Sequence, residues 1–345
     1  MNIIVSILLF LLLNLAYKNM KKNIAILMGG YSSEHDISIK SGNIVYKHLN
    51  KEVYNTYRVI IAKDSWYYLK DNDEKVNIDR SNFTITENNK TIKFDAAFNT
   101  VHGTPGEDGL IQAYLQLLKI PQTSCDFYTA AVTFNKRDCI SILKAYNIPT
   151  ASNYFINDGD SIDINEIVKT VNLPCFIKAN RSGSSFGVIK AHKKEDILPA
   201  LKDAFTVDNE VIIEEFLSGT EISVGVACID GTPTIMGITE IVTENDFFDY
   251  EAKYLGKSEE ITPARLTNEQ NKEVEALTLK IYKALNMKGF ARTDFIFNNG
   301  KPHFLEINTN PGLSEASILP QQSIIKGISL AELFRNEVEQ CLLDS

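Results

Sequence analysis

Residues 289–320, GFARTDFIFNNGKPHFLEINTNPGLSEASILP, constrain the fold of this chain more than any other stretch. Phe290, Arg292, Asp294 and Ile296 alternate with Ala291, Thr293, Phe295 and Phe297, the period-2 pattern of a strand with two unlike faces. Asn298-Asn299-Gly300 then supplies residues that tolerate positive φ, as a tight hairpin turn requires. A return strand is expected over 303–308, with Glu306 and Asn308 two apart and therefore on one face. Arg292 and Asp294 likewise share a face of the outgoing strand. If the two faces coincide, two carboxylates, an amide oxygen and a guanidinium meet at one spot. Such hard oxygen ligands suit Mg²⁺ or Mn²⁺ held against substrate phosphates. A hairpin with a merely solvated polar face would carry the same residues. Against that plainer reading stands the turn Asn308-Thr309-Asn310-Pro311-Gly312 directly beyond, which can aim backbone N–H groups at an anion.

Length and charge bound the rest. A chain of 345 residues has room for two or three domains. Its 44% apolar and 23% charged residues are ordinary for a globular protein, and a net charge of −9 argues against a general attraction to nucleic acid or anionic membrane. Five scattered cysteines (Cys125, Cys139, Cys175, Cys228, Cys341) with no CxxC pair favour neither a disulfide framework nor a zinc site and fit a reducing compartment. Residues 3–16 are almost wholly apolar, yet short of the ~20 residues of a membrane span. No basic residue precedes them and no small-residue cleavage site follows. The expectation is that translation starts at Met20 and that 1–19 are an upstream extension, a membrane anchor being the alternative.

From there the chain alternates between elements and polar loops. An apolar strand at 24–28, the Gly29-Gly30 turn and a helix over 36–49 make the usual start of a parallel α/β sheet, with Glu34 at the helix start. The turn lacks GxGxxG, which disfavours a nicotinamide cofactor. Strands are expected at 57–62 and 96–99. The next loop, His102-Gly103-Thr104-Pro105-Gly106-Glu107-Asp108-Gly109, packs titratable groups and glycines at a strand's carboxyl end, where function often sits. A helix follows at 110–118.

A second strand-rich unit begins near Tyr154. The strand at 173–178 ends in Lys178, and the small-residue loop Asn180-Arg181-Ser182-Gly183-Ser184-Ser185-Phe186-Gly187 leads to a strand at 188–190. Such a lysine and loop can cover a triphosphate, although GxxxxGK[ST] is absent. The strand at 211–217, ending Glu214-Glu215-Phe216-Leu217, can hold an adenosine by its backbone and a carboxylate. Strands at 222–229 and 234–242 pair around Asp230-Gly231. Residues 248–254 read as a mobile loop over a site, residues 268–286 as an amphipathic helix, and 330–342 as a last helix.

Six motifs in order and spacing, GGYSSEHDIS (29–38), HGTPGEDG (102–109), NRSGSSFG (180–187), EEFLSGTE (214–221), DYEAKY (249–254) and LEINTNPGLSEASILP (305–320), strongly resemble the D-alanine–D-alanine ligases of the ATP-grasp superfamily. The resemblance runs from Met20 to the C-terminus. It implies an α/β chain, α+β in parts, with three domains: an N-terminal parallel-sheet substrate domain (20–121), a central ATP-grasp subdomain (122–217) and a C-terminal ATP-grasp subdomain carrying the metal and substrate site (218–345). It also implies ATP as co-substrate, two Mg²⁺ or Mn²⁺ ions, a homodimer and a cytoplasmic role in peptidoglycan precursor synthesis.

Residue by residue, the resemblance makes Asp294, Glu306 and Asn308 the metal ligands. Lys136, Lys178, Ser185 and Lys253 contact phosphates, and Glu214, Phe216, Leu217 and Glu221 form the adenosine pocket. Glu34 grips the ammonium of the first D-alanine, while Arg292 and the Gly312 N–H stabilise the oxyanion of the intermediate. Ser317 and Leu313 hold the carboxylate of the second D-alanine, and His102 stands near that subsite. Ser184 and Tyr254 complete a network with Glu34. A tyrosine at 254, where depsipeptide-forming relatives tend to have phenylalanine, favours an amine acceptor and the dipeptide product. Three positions depart from the family pattern: Asn135 before Lys136 in place of aspartate, Ser182 in place of glutamate, and Ala179 in place of proline. They bear on the nucleotide loop and leave the reaction intact. The rival readings are a ligase making D-alanyl-D-lactate or a mixed D-dipeptide, and a nucleotide-binding protein without catalysis.

Overall fold

β1 (Lys22–Gly29) is buried from its third residue onward, as a strand covered on both faces must be. In the computed structural model, which describes residues 21–183, 187–243 and 258–343, β1 pairs in parallel with β2 (Tyr54–Ile61) and with β7 (Ala96–Asn99). β3 (Trp66–Leu69) and β4 (Lys75–Asn77) extend the sheet antiparallel, to the order β4-β3-β2-β1-β7. A separate ribbon joins β5 (Thr84–Glu87) to β6 (Lys90–Lys93). No strand is legible in the sequence between 62 and 96, because these four are too short to show a period. The 1–19 leader lies outside the described residues. Among those described, no helix is long and apolar enough to cross a membrane, and none of the five cysteines is in a disulfide.

α1 (His35–His48) returns over the first sheet, and α2 (Leu110–Leu117) follows the β7 loop. α3 (Phe127–Phe134) and α4 (Lys136–Ala145) meet at Asn135, whose side chain caps α4 by accepting the Asp138 N–H. The second sheet is antiparallel, in the order β10 (Val188–Ala191), β9 (Cys175–Ala179), β11 (Glu210–Glu215), β8 (Asn153–Asn157). α5 (Ile164–Val171) and α6 (Lys194–Ala204) cover it through Ile167, Val171, Ile197 and Leu201.

The third sheet is also antiparallel: β14 (Ser258–Ile261), β13 (Thr232–Thr243), β12 (Thr220–Ile229), β15 (Ala291–Asn298), β16 (Lys301–Asn308). α4 and α7 (Asn268–Ala284) fill one face with Ile140, Leu143, Val274 and Ile281 against Val224, Phe295 and Phe304. α8 (Ile318–Ile325) packs on β12 and β13. α9 (Leu330–Leu343) runs back to the first sheet, where Leu333, Phe334 and Val338 join Ile24, Ile26 and Phe98 in one core. The two ends of the described chain thus share apolar packing, which fixes the third sheet against the first.

Both hairpins of the third sheet turn on residues at positive φ: Asp230 and Gly231 at 47° and 76°, Asn299 and Gly300 at 52° and 78°. Each return strand then takes one extra residue, Met236 in β13 and Leu305 in β16, after which its register is shifted by one.

Candidate active site

The Leu305 bulge decides the geometry of the hairpin. With it, Glu306 lies opposite Asp294 and Asn308 opposite Arg292. Directly opposed residues share a face, so all four polar groups meet as the sequence pattern anticipates. A strict two-residue turn without the bulge would set Leu305 against Asp294 and send Glu306 to the apolar side. Arg292 holds Asp294 in a fork, Nε to Oδ1 at 3.1 Å and Nη2 to Oδ2 at 2.9 Å. Ser223 on β12 donates its hydroxyl to Asp294 Oδ1 at 2.6 Å. The Asn308 side-chain oxygen accepts the Asn310 N–H at 2.8 Å, and Asn310 Nδ2 donates to the Val101 carbonyl at 2.7 Å. The turn after β16 is therefore tied to the loop after β7.

A cavity of about 630 Å³ opens over this face, and Arg292, Glu306, Asn308, Gly312 and Ser317 line it. Glu34 enters the same cavity from the first sheet. The helix start that carries it is tied to the first sheet by Ser38, whose N–H donates to the Glu34 carbonyl at 3.0 Å and whose Oγ accepts the Gly29 N–H at 2.8 Å and donates to the Thr100 carbonyl at 2.7 Å. Gly183 brings the central loop against it: a Cβ at Gly183 would stand 2.9 Å from Glu34 Oε2.

His102 is buried on the cavity wall, with Nε2 3.3 Å from Ser41 Oγ. Burial pushes its imidazole below the ordinary value; Glu34 and a hydrogen bond to the Asn310 backbone oppose this, and Arg292 adds to it. Glu107, from the same glycine-rich loop, also faces the cavity and accepts the Gly103 N–H at 2.7 Å. Burial pushes its carboxyl up to about 8, with the negative charge of Glu34 adding to the shift.

On the side of the central sheet, Lys136 lines the cavity and donates to the Ser182 carbonyl at 2.6 Å. Asn180, wholly buried, joins three elements. Its Nδ2 donates to Asn135 Oδ1 at 2.8 Å and to Glu210 Oε2 at 2.7 Å, and its Oδ1 accepts the Arg137 N–H at 2.9 Å. The departure at Asn135 thus has a matching amide beside it.

Lys178 pairs with Glu214 at 2.5 Å. Burial alone would depress its ammonium, but Glu214, with Glu306 and Glu221 further off, outweighs that and holds it above the ordinary lysine value. Phe216 packs on Phe176 at 5.9 Å, with the Lys190 ammonium 4.2 Å from its ring centre. Lys178, Glu214, Phe216, buried Leu217 and Glu221 do not line the 630 Å³ cavity. Asp294 sits behind Arg292 rather than on the cavity wall.

On the opposite side, Ser317 stands at the N-terminus of α8 and shares a hydrogen bond with Ser314 (2.8 Å), and a Cβ at Gly312 would come within 2.8 Å of Ser317 Oγ. The Leu313 N–H donates to Ser41 Oγ at 3.2 Å while its side chain is buried in the core. Its contribution is therefore to the floor of the site. Ser184, Ser185, Lys253 and Tyr254 lie outside the described residues.

Three residues of this site went unassigned in the sequence: Ser223, Glu107 and Glu260, the last lining the cavity from β14. The loop 102–109 is flagged by its glycines, but nothing in it separates Glu107 from Asp108. Ser223 is marked only as a lone hydroxyl within an apolar strand. Among the described residues no three carboxylate, imidazole or thiolate side chains are grouped so as to hold a metal ion by themselves. Two carboxylates and an amide oxygen on an open face do fit Mg²⁺ or Mn²⁺, which keep much of their shell for phosphate and water.

An antiparallel sheet carrying paired acidic residues, a second antiparallel sheet presenting lysines and a glycine-rich loop, and a parallel-sheet unit closing the cavity define the ATP-grasp class of ligases. Within that class, residues 23–125 match the family model described as "D-ala D-ala ligase N-terminus" and residues 142–339 the one described as "D-ala D-ala ligase C-terminus". The chain belongs to the D-alanine–D-alanine ligase family. It is 58% identical over 323 residues to the D-alanine–D-alanine ligase of Christiangramia forsetii, covering 94% of this chain and 99% of that one. Among solved structures it resembles the VanG D-Ala:D-Ser ligase from Enterococcus faecalis (29% identity, TM-score 0.83, 93% and 100% covered). It also resembles the D-alanine–D-alanine ligase from Bacillus anthracis complexed with ATP (26% identity, TM-score 0.75, 93% and 98% covered).

Proposed function

We propose that this protein joins two molecules of D-alanine at the expense of ATP, giving D-alanyl-D-alanine, ADP and phosphate for peptidoglycan precursors. The observation that carries the reading is the meeting in one cavity of Glu34, Lys136, Arg292, Glu306, Asn308 and Ser317, drawn from all parts of the chain. A carboxylate oxygen of the first D-alanine attacks the γ-phosphorus, the bond to the β–γ bridging oxygen breaks, and an acyl phosphate forms as ADP departs. The amine of the second D-alanine attacks the acyl carbon, and the tetrahedral oxyanion collapses with loss of phosphate.

In this reading Glu34 orients the first substrate by its ammonium. Arg292 and the Gly312 N–H face the oxyanion, a role often worth several kcal/mol. Ser317 receives the second carboxylate with Leu313 nearby in the floor of the site, and His102 stands beside them. Lys136, Lys178, Ser185 and Lys253 contact phosphates, with Glu214, Phe216, Leu217 and Glu221 around the adenosine. Asp294, Glu306 and Asn308 hold two Mg²⁺ or Mn²⁺ ions, which neutralise phosphate charge when bound. Ser184 and Tyr254 complete the substrate network.

We assign the chain three units, at 20–121, 122–217 and 218–345, acting in the cytoplasm as a homodimer. The exposed apolar side chains Leu110 and Leu117 on α2 and Phe127 and Tyr128 on α3 support the dimer. The reading is tested by incubating the protein with ATP, Mg²⁺ and D-alanine, with and without D-lactate. ADP release that depends on D-alanine, with the dipeptide as product, is expected. D-alanine-independent hydrolysis, or dominance of the depsipeptide at neutral pH, overturns it.

A further inference from the structure

We propose that Ser223 is a positioning residue for the metal ligand Asp294, its hydroxyl fixing the carboxylate plane and leaving Oδ2 as the oxygen that meets the cation. The proposal rests on the metal-site reading above.

An ionised carboxylate oxygen offers two in-plane acceptor positions. Asp294 Oδ1 has both filled, by Ser223 Oγ at 2.6 Å and Arg292 Nε at 3.1 Å. Oδ2 takes a single donor, Arg292 Nη2 at 2.9 Å. One acceptor position is therefore left on Oδ2 and none on Oδ1. Arg292 cannot set this alone, because its fork satisfies both oxygens alike; the asymmetry comes from Ser223.

Ser223 is itself held. It lies directly opposite Asp294 on the neighbouring strand and is 2% exposed. Its carbonyl accepts Gln322 Nε2 at 3.0 Å. The same amide nitrogen lies 2.9 Å from Thr239 Oγ1, which is 2.6 Å from Thr262 Oγ1. Gln322 is wholly buried and fits there because Gly225 and Gly237 lie beneath it, where a Cβ would come within 2.1 Å and 2.9 Å of its side chain. The Met236 bulge makes this row continuous by bringing Thr239 opposite Ser223. Thr239, Ser223, Asp294 and Glu306 are thus register neighbours across four strands. Loss of such an outer partner lowers metal affinity by about 10–100-fold in other sites.

The test follows Mn²⁺–ATP binding by water proton relaxation, without D-alanine, in the parent and in Ser223→Ala, Ser223→Thr and Asp294→Asn variants. Ser223→Ala is expected to bind Mn²⁺–ATP about 10-fold more weakly. Its Mg²⁺ requirement in the ligase assay should rise, with kcat recovered at saturating Mg²⁺. Ser223→Thr, which keeps the hydroxyl, should behave like the parent. Should Ser223→Ala not fold, Ser223→Cys, of similar shape but a weak donor, carries the same expectation. Parent-like binding by Ser223→Ala, or equal weakening by Ser223→Thr, overturns the assignment while leaving the metal site standing. Undiminished binding by Asp294→Asn overturns the metal reading itself.

Discussion

The hairpins β12–β13 and β15–β16 are built to one plan and put to different uses. Each turns on two residues at positive φ, and each carries one extra residue in its return strand. In β13 the shift pairs Gly225 with Gly237 and Ser223 with Thr239, making a polar seat for Gln322 of α8. In β16 it pairs Asp294 with Glu306 and Arg292 with Asn308. A bulge leaves one residue out of the ladder and sharpens local twist. In the first hairpin that cost is offset by packing a helix whose N-terminus carries Ser317; in the second it is offset by burying both Phe304 and Ile307 in the core, and it leaves Asp294 beside Glu306. Two carboxylates side by side repel, and nothing in folding alone favours them.

A register shift just beyond the bulge should break this contrast most severely. Inserting one alanine between Leu305 and Glu306 sets Glu306 opposite Thr293, on the other face from Asp294; both D-alanine-dependent ADP release and Mn²⁺–ATP binding should fall below detection. Leu305→Gly, which keeps the residue count, should retain most activity. If the insertion variant remains active, the register of β16 is not what assembles the acids.

A smaller effect is expected in the packing hairpin. Gly225→Ala places a methyl 2.1 Å from Gln322 Oε1 and 2.6 Å from Leu319 Cδ1, an overpacking that typically costs about 1–3 kcal/mol. Urea denaturation should show a lower midpoint, with the Mn²⁺–ATP affinity reduced because Ser223 moves with Gln322. An unchanged midpoint would show that the seat has slack.

A last test concerns the loop that faces the β15–β16 hairpin across the cavity. Glu107 is held protonated by burial up to about pH 8, whereas an unfolded glutamate titrates near 4.3. Between those values the folded state binds a proton that the unfolded state has lost, so this group's contribution to stability declines as pH rises through the window. Glu107→Gln removes the titration. The parent's urea midpoint should drop more between pH 5.5 and 8.5 than the variant's; parallel slopes would place the proton elsewhere.

Much of this was readable in the chain. The alternation of Arg292 and Asp294, the Asn299-Gly300 turn and the apolar run of β1 follow from local sterics and periodicity, and they led directly to strands and turns. The four strands between Trp66 and Lys93 were not readable, because three or four residues show no period. Ser223 was not readable because a hydroxyl in a strand means nothing until the strand beside it is known. Glu107 was obscured by its neighbour Asp108, and only the burial of one of them separates the two.

The 289–320 stretch shows where the division falls. The sequence by itself determined that there is a hairpin, where it turns, and that acids two residues apart share a face within each strand. Whether the two acidic faces coincide was left to the tertiary structure, since one unpaired residue inverts the whole of a strand beyond it. The trace of that choice is the spacing of Phe304 and Ile307, three apart instead of two and both buried beneath α7 and α4. Burying both side chains in that core requires Leu305 to stand out of the ladder, and the packing that demands it comes from helices more than twenty residues away.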